Sequence, residues 1–309
     1  MDESKYRAAE RRLWDSVGVT PSELQLPLAT FGCSVRAQEM GEGPPLLFIH
    51  GGATAGASWA HLVARLPDYR CIVIDRPGCG LSEPLPGTGW TDMAKFAAFA
   101  ETLVPDIVDA LGLSSIRVAS TSHGGFFAFR GAAAAPERVE RLIEYSWPMG
   151  APMEKVPLVF RLAGLPGARA MSARMPANAT LVKMALSSAG LRSAIRTGKF
   201  HREAIDWMVS YMNDTPSMQN ELRMQPEVIT PIAGLNKEML HSPELLCKLT
   251  MPVHLFWGED DPNGGEVTAR LLVAQLPNAT LEMVPGAGHA PWVDEPDWAA
   301  TSTREFLGR

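Results

Sequence analysis

Cysteine is rare in this sequence. Four cysteines occur among 309 residues, and their positions do not have the spacing of a metal site. Because unpaired thiols persist in a reducing compartment, we expect a cytoplasmic protein whose cysteines are free and buried. They are Cys33, Cys71, Cys79 and Cys247.

Long apolar runs and an excess of positive charge are also missing. No run is long enough to span a bilayer, and residues 1–12 are charged where a secretory signal has an apolar core. The net charge of -6 argues against nucleic acid as the main partner, because phosphate binding requires a basic surface. We therefore expect a small-molecule substrate, no membrane insertion and no nucleic-acid partner, with a homodimer left open.

The sequence has no internal repeat and no low-complexity tract, so its length indicates one large domain or a domain with an insertion. Continuous apolar runs at 44–49 and 71–75 are typical of strands buried on both faces. Strand and helix patterns alternate over most of the chain. This alternation predicts an α/β fold with a mostly parallel sheet covered by helices.

The alternation stops between about 148 and 247. That segment has no clear strand pattern, is rich in Met, Leu, Ala and Arg, and is broken by prolines into short helices. A hundred residues are too many for a loop. We interpret residues 148–247 as a helical cap inserted into a core domain formed by 1–147 and 248–309. The alternative is a set of surface helices without a gating role.

Residues 118–125 have the pattern of a strand that enters a tight turn and then a helix, with Ser122 at the turn. Such a turn strains the backbone and exposes the serine hydroxyl. Gly124 and Gly125 allow the helix to pass close to the strand, and Ser120 is small for the same reason. Ser122 is therefore the candidate nucleophile. The alternative is a serine that only caps the helix.

An alcohol is a poor nucleophile near neutral pH and needs a general base, which in turn needs an acid to orient it. His289 lies in a glycine-rich loop after the last predicted strand and is the candidate base. Glu259, Asp260 and Asp261 follow the preceding strand. The turn geometry before Pro262 favours Asp261 as the acid, with Asp260 in reserve.

The oxyanion formed by attack on a carbonyl requires backbone N–H donors. One candidate is His123, directly after the nucleophile. The other is Gly52, in the loop after the first parallel strand, where glycine lets the backbone approach a ligand. We expect His50 to support this loop without acting as an acid or base.

From about residue 23 to 309, the chain resembles the α/β-hydrolase superfamily, in its esterase-like branch with a serine nucleophile and a helical cap. This resemblance implies an eight-stranded, mostly parallel sheet flanked by helices, with the cap after the sixth strand. It also implies Ser122, Asp261 and His289 as a catalytic triad, and Gly52 and His123 as the oxyanion hole. Four motifs in order carry the resemblance: His50-Gly-Gly, Asp75-Arg-Pro-Gly-Cys-Gly-Leu-Ser82, the turn at Ser122, and Gly258-Glu-Asp-Asp-Pro followed by Gly288-His289.

Departures from the common motifs reduce the number of reaction types that the resemblance implies. A serine nucleophile argues against the haloalkane dehalogenases and epoxide hydrolases, which attack through a carboxylate. Thr121 stands where carbon–carbon hydrolases of ring-cleavage products usually carry asparagine. The His50-Gly-Gly-Ala loop lacks the proline of the iminopeptidases, and Ser120 replaces the glycine that usually begins the turn.

These observations favour a hydrolase of carboxylic esters or lactones that forms an acyl-enzyme on Ser122 without a metal or organic cofactor. Neither a basic cluster nor a clear carboxylate pair marks the cap, so we expect a small to medium, mainly apolar substrate. The alternatives are a carbon–carbon hydrolase, an acyltransferase, a perhydrolase, and a ligand-binding protein with little turnover. The expected substrate-binding residues are Ala53, Met149, Met153, Trp207, Tyr211 and Trp292, with Leu158, Phe160, Met208 and Met212 as further cap candidates. Trp207, Met208, Tyr211 and Met212 recur at helical spacing, so the alternative for each of these four is a place in the core of the cap.

Overall fold

The fold was obtained as a computed structural model that describes residues 1–87, 93–153, 165, 176–230 and 234–308. Its strands are short and follow the apolar runs of the sequence. In chain order they are β1 (Ser22–Leu28), β2 (Cys33–Met40), β3 (Pro45–Ile49), β4 (Arg70–Ile74), β5 (Ile116–Thr121), β6 (Val139–Tyr145), β7 (Ile229–Thr230), β8 (Gly234–Leu235), β9 (Val253–Gly258) and β10 (Ala279–Val284).

Eight of these strands form one sheet in the order β1-β2-β4-β3-β5-β6-β9-β10. The pairs β1–β2 and β2–β4 are antiparallel, and the remaining pairs are parallel. The predicted α/β fold with a mostly parallel eight-stranded sheet is confirmed. The antiparallel pairs lie at one edge of the sheet, where β1 is largely exposed.

Helices cover both faces of the sheet. In chain order they are α1 (Glu3–Ser16), α2 (Ala60–Val63), α3 (Met93–Ala110), α4 (His123–Ala134), α5 (Ala179–Leu186), α6 (Arg192–Arg196), α7 (Arg202–Asp214), α8 (Ser217–Val228), α9 (Pro243–Leu246), α10 (Glu266–Val273), α11 (Pro291–Asp294) and α12 (Pro296–Leu307). Of the helices in the described residues, none has both the length and the apolar character that a membrane crossing requires.

The side chains of the central strands alternate between two apolar layers. In β3, Leu47 and Ile49 pack into the layer beneath α3 and α4, whereas Leu46 and Phe48 pack into the layer that contains α1 and α2. All four are fully buried. This alternation with burial on both faces is the reason why β3 is continuously apolar in sequence.

Residues 148–247, which we call the insert, lie between β6 and β9. They contain α5 to α9 and the two-residue strands β7 and β8, which pair antiparallel. The sequence pattern did not predict these strands. The insert joins the same apolar layer as α1, and Asp2 N donates to Asp214 O at 3.0 Å.

The four cysteines are free, as expected. Cys33, Cys71 and Cys79 are buried, but Cys247 is exposed, so the expectation of burial was wrong for that residue. Cys247 follows α9 at the surface end of the insert, where its side chain has no apolar layer to join.

Candidate active site

The turn between β5 and α4 holds Ser122 in an unusual conformation. Its φ of 53° and ψ of -119° lie in a region that favours glycine. The Ser122 carbonyl accepts hydrogen bonds from Gly125 N at 3.0 Å and Met149 N at 2.8 Å, which fix the turn. A Cβ atom at Gly124 would lie 2.2 Å from Ile49 O, so only glycine lets α4 begin this close to β3.

Asp261 and His289 meet at the ends of β9 and β10. Asp261 Oδ2 lies 2.8 Å from His289 Nδ1 and accepts a hydrogen bond from Trp147 N at 3.1 Å. Asp261 Oδ1 accepts from Asn263 N at 2.9 Å. The Asp261 side chain is buried, whereas Glu259 and Asp260 are exposed. Of the three consecutive acids, Asp261 is therefore the one that contacts the histidine.

This contact sets the chemistry available to the imidazole. A carboxylate at Nδ1 favours the tautomer that carries its proton there and makes Nε2 the acceptor, with Asn263 Nδ2 at 3.5 Å from it. His289 and Ser122 line the same cavity. Within the described residues, the Ser122 hydroxyl makes no hydrogen bond to His289, and in free enzymes such contacts commonly tighten only when substrate binds.

The loop after β3 packs against the Ser122 turn. A Cβ atom on Gly51 would lie 3.2 Å from Ser122 Cβ, and one on Gly52 would lie 3.8 Å from His123 Nδ1. Ala53, the next residue, has a positive φ of 52°. The absence of side chains at 51 and 52 therefore leaves the backbone of this loop open toward Ser122.

His50 supports this loop from below, as expected. Its Nδ1–H donates to Gly51 O at 2.8 Å, and its Nε2 accepts from Arg76 N at 2.9 Å. Burial, with a contribution from the Arg76 charge, lowers the pKa of His50 well below its ordinary value. The ring is therefore neutral and has both nitrogens occupied.

A cavity of about 350 Å³ opens above Ser122 between the core and the insert. Most of its lining side chains are apolar. It includes seven of the residues expected to bind substrate: Ala53, Met149, Met153, Trp207, Met208, Met212 and Trp292. Leu158 and Phe160 lie outside the described residues. No cluster of His, Cys, Asp or Glu suited to a metal ion occurs in the described part of the chain.

Tyr211 does not line the cavity, contrary to expectation. Its side chain is fully buried, and its ring centroid lies 6.2 Å from that of Trp207. Burial raises the pKa of its hydroxyl well above the ordinary value, with Cys79 and Glu221 adding to the effect. Helical spacing placed Trp207 and Tyr211 on one stripe of α7, but only Trp207 reaches the cavity.

Glu221 is a cavity residue that the sequence analysis missed. Its side chain, on α8, is 9% exposed, and its Oε1 accepts from Arg76 Nη2 at 2.7 Å and contacts Cys79 Sγ at 3.1 Å. Burial by itself would raise the pKa of Glu221, but Arg76 and His123 hold it below the ordinary value, so the group is a carboxylate. Sequence offers no signal for this pair, because its partners are 145 residues apart.

A second buried acid, Glu144, lies beneath the Ser122 turn. Its Oε2 is 2.5 Å from Ser120 Oγ, and Ser120 Oγ is 3.4 Å from Ile143 O. Burial raises the pKa of Glu144 well above its ordinary value, which favours the neutral acid. The Ser120 hydroxyl donates to Glu144 Oε2. This contact gives the unusual serine at position 120 a hydrogen-bonding partner.

The insert also touches the loop that carries His289. Residues Ser187–Leu191 form a π-helical turn between α5 and α6, kinked at Gly190, whose φ is 96°. A Cβ atom on Gly288 would lie 1.7 Å from Gly190 O, and one on Gly190 would lie 2.9 Å from His289 N. The two glycines allow the insert and the histidine loop to pack backbone against backbone.

Comparison with known proteins shows which family the chain resembles over most of its length. A family model described as "Alpha/beta hydrolase family" matches residues 46–301. The chain is 26% identical over 289 residues to the pimeloyl-[acyl-carrier protein] methyl ester esterase of Serratia marcescens, a match that covers 87% of this chain and 96% of that protein. It is 25% identical over 257 residues to 2-hydroxy-6-oxononadienedioate/2-hydroxy-6-oxononatrienedioate hydrolase 1 of Dechloromonas aromatica strain RCB, covering 80% and 81%.

A solved structure shows the same fold. The 2-hydroxy-6-oxo-6-phenylhexa-2,4-dienoate hydrolase of Rhodococcus sp. strain RHA1 aligns with a TM-score of 0.77 and 19% sequence identity. The alignment covers 94% of this chain and 100% of that chain.

Proposed function

Because the chain belongs to the alpha/beta hydrolase family, we propose that it is a serine hydrolase of carboxylic esters with small to medium, mainly apolar groups. The observation that carries the proposal is that Ser122 and His289 line one cavity, with Asp261 bound to the histidine. The strained Ser122 and the Asp261-bound His289 both face it, and its remaining wall is mostly apolar. We further propose that the insert acts as a cap over this cavity.

In the proposed reaction, Ser122 Oγ attacks the ester carbonyl carbon while His289 Nε2 takes the hydroxyl proton. Asp261 holds the imidazole by Nδ1–H and stabilises its charged form. The backbone N–H groups of Gly52 and His123 bind the oxyanion of the tetrahedral intermediate. His289 then gives the proton to the leaving alkoxide oxygen, which breaks the C–O bond and leaves an acyl group on Ser122.

The second half of the reaction releases the acid. A water molecule gives a proton to His289 Nε2 and attacks the acyl carbonyl carbon, forming a second oxyanion at the same donors. Collapse of this intermediate breaks the bond to Ser122 Oγ, which recovers its proton from His289. These steps require only groups that this chain supplies, together with water.

Carbon–carbon bond hydrolysis is the second candidate, because one relative and one solved structure carry names of that activity. The substrate named for the Dechloromonas relative is a dicarboxylate. In the described lining of the cavity there is no Lys or Arg that could pair with such a carboxylate, and the one acidic side chain, Glu221, would repel it. This charge pattern supports the ester proposal over the second candidate.

A fluorophosphonate probe and p-nitrophenyl butyrate test the proposal. We expect wild-type protein to be labelled and to hydrolyse the ester, and Ser122→Ala to lose labelling and at least about 10⁴-fold in kcat. Ser120→Ala, two residues before Ser122 in β5, is the matched control and should retain labelling. Equal labelling of Ser122→Ala and wild type would overturn the proposal, and a folded wild type that is neither labelled nor active would favour a binding protein.

A ring-cleavage dienoate separates the two reaction types. Its conjugated chromophore disappears on cleavage, so turnover can be followed by absorbance. We expect a kcat/KM at least tenfold lower than for the butyrate ester. A higher kcat/KM for the dienoate than for the butyrate ester would show that the function is carbon–carbon hydrolysis and not ester hydrolysis.

A further inference from the structure

Glu221 brings one carboxylate into a cavity that is otherwise mostly apolar. It lines the cavity although its side chain is only 9% exposed. A charge this deeply buried is costly unless other groups satisfy it. The partners of its two carboxylate oxygens therefore indicate the role of Glu221.

The two oxygens of Glu221 have different surroundings. Oε1 accepts from Arg76 Nη2 at 2.7 Å and contacts Cys79 Sγ at 3.1 Å. Oε2 faces His123 Nδ1 at 3.7 Å, which is longer than a normal hydrogen bond. The contact between α8 and the core thus uses Oε1, while Oε2 keeps its capacity to accept a hydrogen bond.

Oε2 lies beside the two residues proposed to bind the oxyanion. It is 3.7 Å from the His123 ring, and a Cβ atom on Gly52 would lie 3.8 Å from it. A substrate carbonyl held by the backbone of these residues would therefore place its neighbouring carbon atoms near Oε2. If no hydrogen-bond donor lies between Oε2 and the substrate, the negative charge of the carboxylate also destabilises the oxyanion as it forms.

The charges of the groups around Oε2 determine which kind of hydrogen-bond donor on a substrate fits there. Arg76 is fully buried and balances Glu221, and burial together with Arg76 lowers the pKa of His123 to about 4, so that ring is neutral near pH 7. An ammonium group would add an unbalanced charge to this buried cluster, and a carboxylate or carbonyl oxygen would face Oε2 without a proton to share. A hydroxyl donates a hydrogen bond and leaves the cluster neutral.

We propose that Glu221 Oε2 is a specificity-determining acceptor for a substrate hydroxyl on the second or third carbon of the acyl chain. The preferred substrates are then hydroxyacyl esters. This inference rests on the proposed ester hydrolysis at Ser122. It goes further by naming the chemical group that distinguishes one ester from another.

Four ethyl esters test this specificity: butyrate, 2-hydroxybutyrate, 3-hydroxybutyrate and 3-oxobutyrate, with acid release followed by titration at constant pH. The hydroxy and oxo esters have similar size, but only the hydroxy esters can donate to Oε2. We expect wild type to give the better hydroxy ester a kcat/KM at least about tenfold above that of the oxo ester, a usual effect of a hydrogen bond to a charged group.

Glu221→Gln provides the decisive comparison. Arg76 and Cys79 both donate toward the position of Oε1, so the glutamine oxygen takes that place and its NH₂ group faces the cavity. This group donates to a hydroxyl and to a carbonyl alike, so we expect the hydroxy-to-oxo ratio to fall at least about tenfold. The intrinsic reactivities of the esters cancel, because the same two substrates are compared in both proteins.

Asn220→Ala is the matched control on the same helix. It removes the bond from Asn220 Nδ2 to Gly78 O at 2.6 Å, which also joins α8 to the core, without altering Glu221. We expect it to lower thermal stability and to leave the hydroxy-to-oxo ratio within twofold of wild type. A comparable fall of the ratio in Asn220→Ala would assign the effect to helix docking and overturn the proposal.

Glu221→Asp covers the case in which Glu221→Gln does not fold, because it keeps the charge paired with Arg76 while withdrawing the acceptor from the cavity. We expect this variant to lose the preference for hydroxy esters without a rise in kcat/KM for the oxo ester. An unchanged ratio in either folded variant overturns the proposal, as does a flat wild-type profile over the four esters. If the probe labels Ser122 and esters turn over, such a result leaves the proposed function intact. If neither occurs, both fail.

Discussion

Ser120 and Glu144 form a buried polar pair directly beneath the nucleophile turn. Glu144 is fully buried, and the nearby Asp261 charge adds to the effect of burial on its pKa. The Ser120 hydroxyl donates a hydrogen bond to Glu144 Oε2 at 2.5 Å. Ser120, which stands where related sequences usually have glycine, is thus paired with the buried acid Glu144.

The neutral state of Glu144 predicts a pH dependence of stability. Its folded pKa is raised above the ordinary 4.5, so above pH 4.5 the folded state holds a proton that the unfolded state releases. The free energy of unfolding of wild type should therefore fall relative to Glu144→Gln as pH rises from 5 to 8. The difference changes by up to about 1.4 kcal/mol per pH unit until the folded pKa is reached.

Urea unfolding at pH 5, 6, 7 and 8 measures this difference. Glu140→Gln, an exposed position on the same strand, should give a profile parallel to wild type. Parallel profiles for Glu144→Gln and wild type would mean that the acid is ionised in the folded protein, contrary to our assignment.

At the scale of elements, the insert and the His289 loop share a backbone contact. A Cβ atom on Gly190 would lie 2.7 Å from Pro262 Cδ and 2.9 Å from His289 N. The position of the proposed general base therefore depends on how closely an element of the insert can approach. This links the proposed cap to the proposed general base through close packing.

Gly190→Ala should displace His289 and lower kcat by about 10- to 100-fold, since small misplacements of catalytic groups have effects of this size. Gly198→Ala is the matched control, because Gly198 also has a positive φ, 75°, but a Cβ atom there would meet nothing within 4 Å. Both variants carry the same kind of backbone strain. Steady-state kinetics and the rate of fluorophosphonate labelling distinguish them, and equal kcat values would contradict the role of this contact.

For the molecule as a whole, Arg36 joins the N-terminal helix to the sheet. Its guanidinium, 2% exposed, pairs with Glu10 of α1 at 2.5 Å, Glu23 of β1 at 2.7 Å and Asp75 after β4 at 3.2 Å. The helix held in this way contributes Leu13 to the cavity wall. Arg36 therefore ties α1, which supplies part of the cavity wall, to β1 and to the end of β4.

Arg36→Met should lower the free energy of unfolding by about 3–5 kcal/mol, because it removes the cation that pairs with the buried carboxylates of Glu10 and Asp75. Arg7→Met is the comparison, since Arg7 also contacts Glu23, at 2.8 Å, but is 38% exposed. Screening by solvent limits its loss to at most about 1 kcal/mol. Urea unfolding at neutral pH measures both, and similar losses would show that burial does not govern the contribution of Arg36.

The sequence by itself determined the features that depend on neighbouring residues. Apolar runs such as 44–49 predicted strands buried on both faces, and the small residues around Ser122 predicted the tight turn. The glycine-rich loop marked His289 for the same reason, because backbone freedom and burial are encoded over a few positions.

Only the tertiary structure decided which distant groups meet. It brought Asp261, and neither of its acidic neighbours, against His289, and it turned Tyr211 away from the cavity. It also placed Glu221 beside His123 through its pair with Arg76. Pairs of this kind depend on how the insert packs on the core, and no local pattern records a contact between residues 145 positions apart.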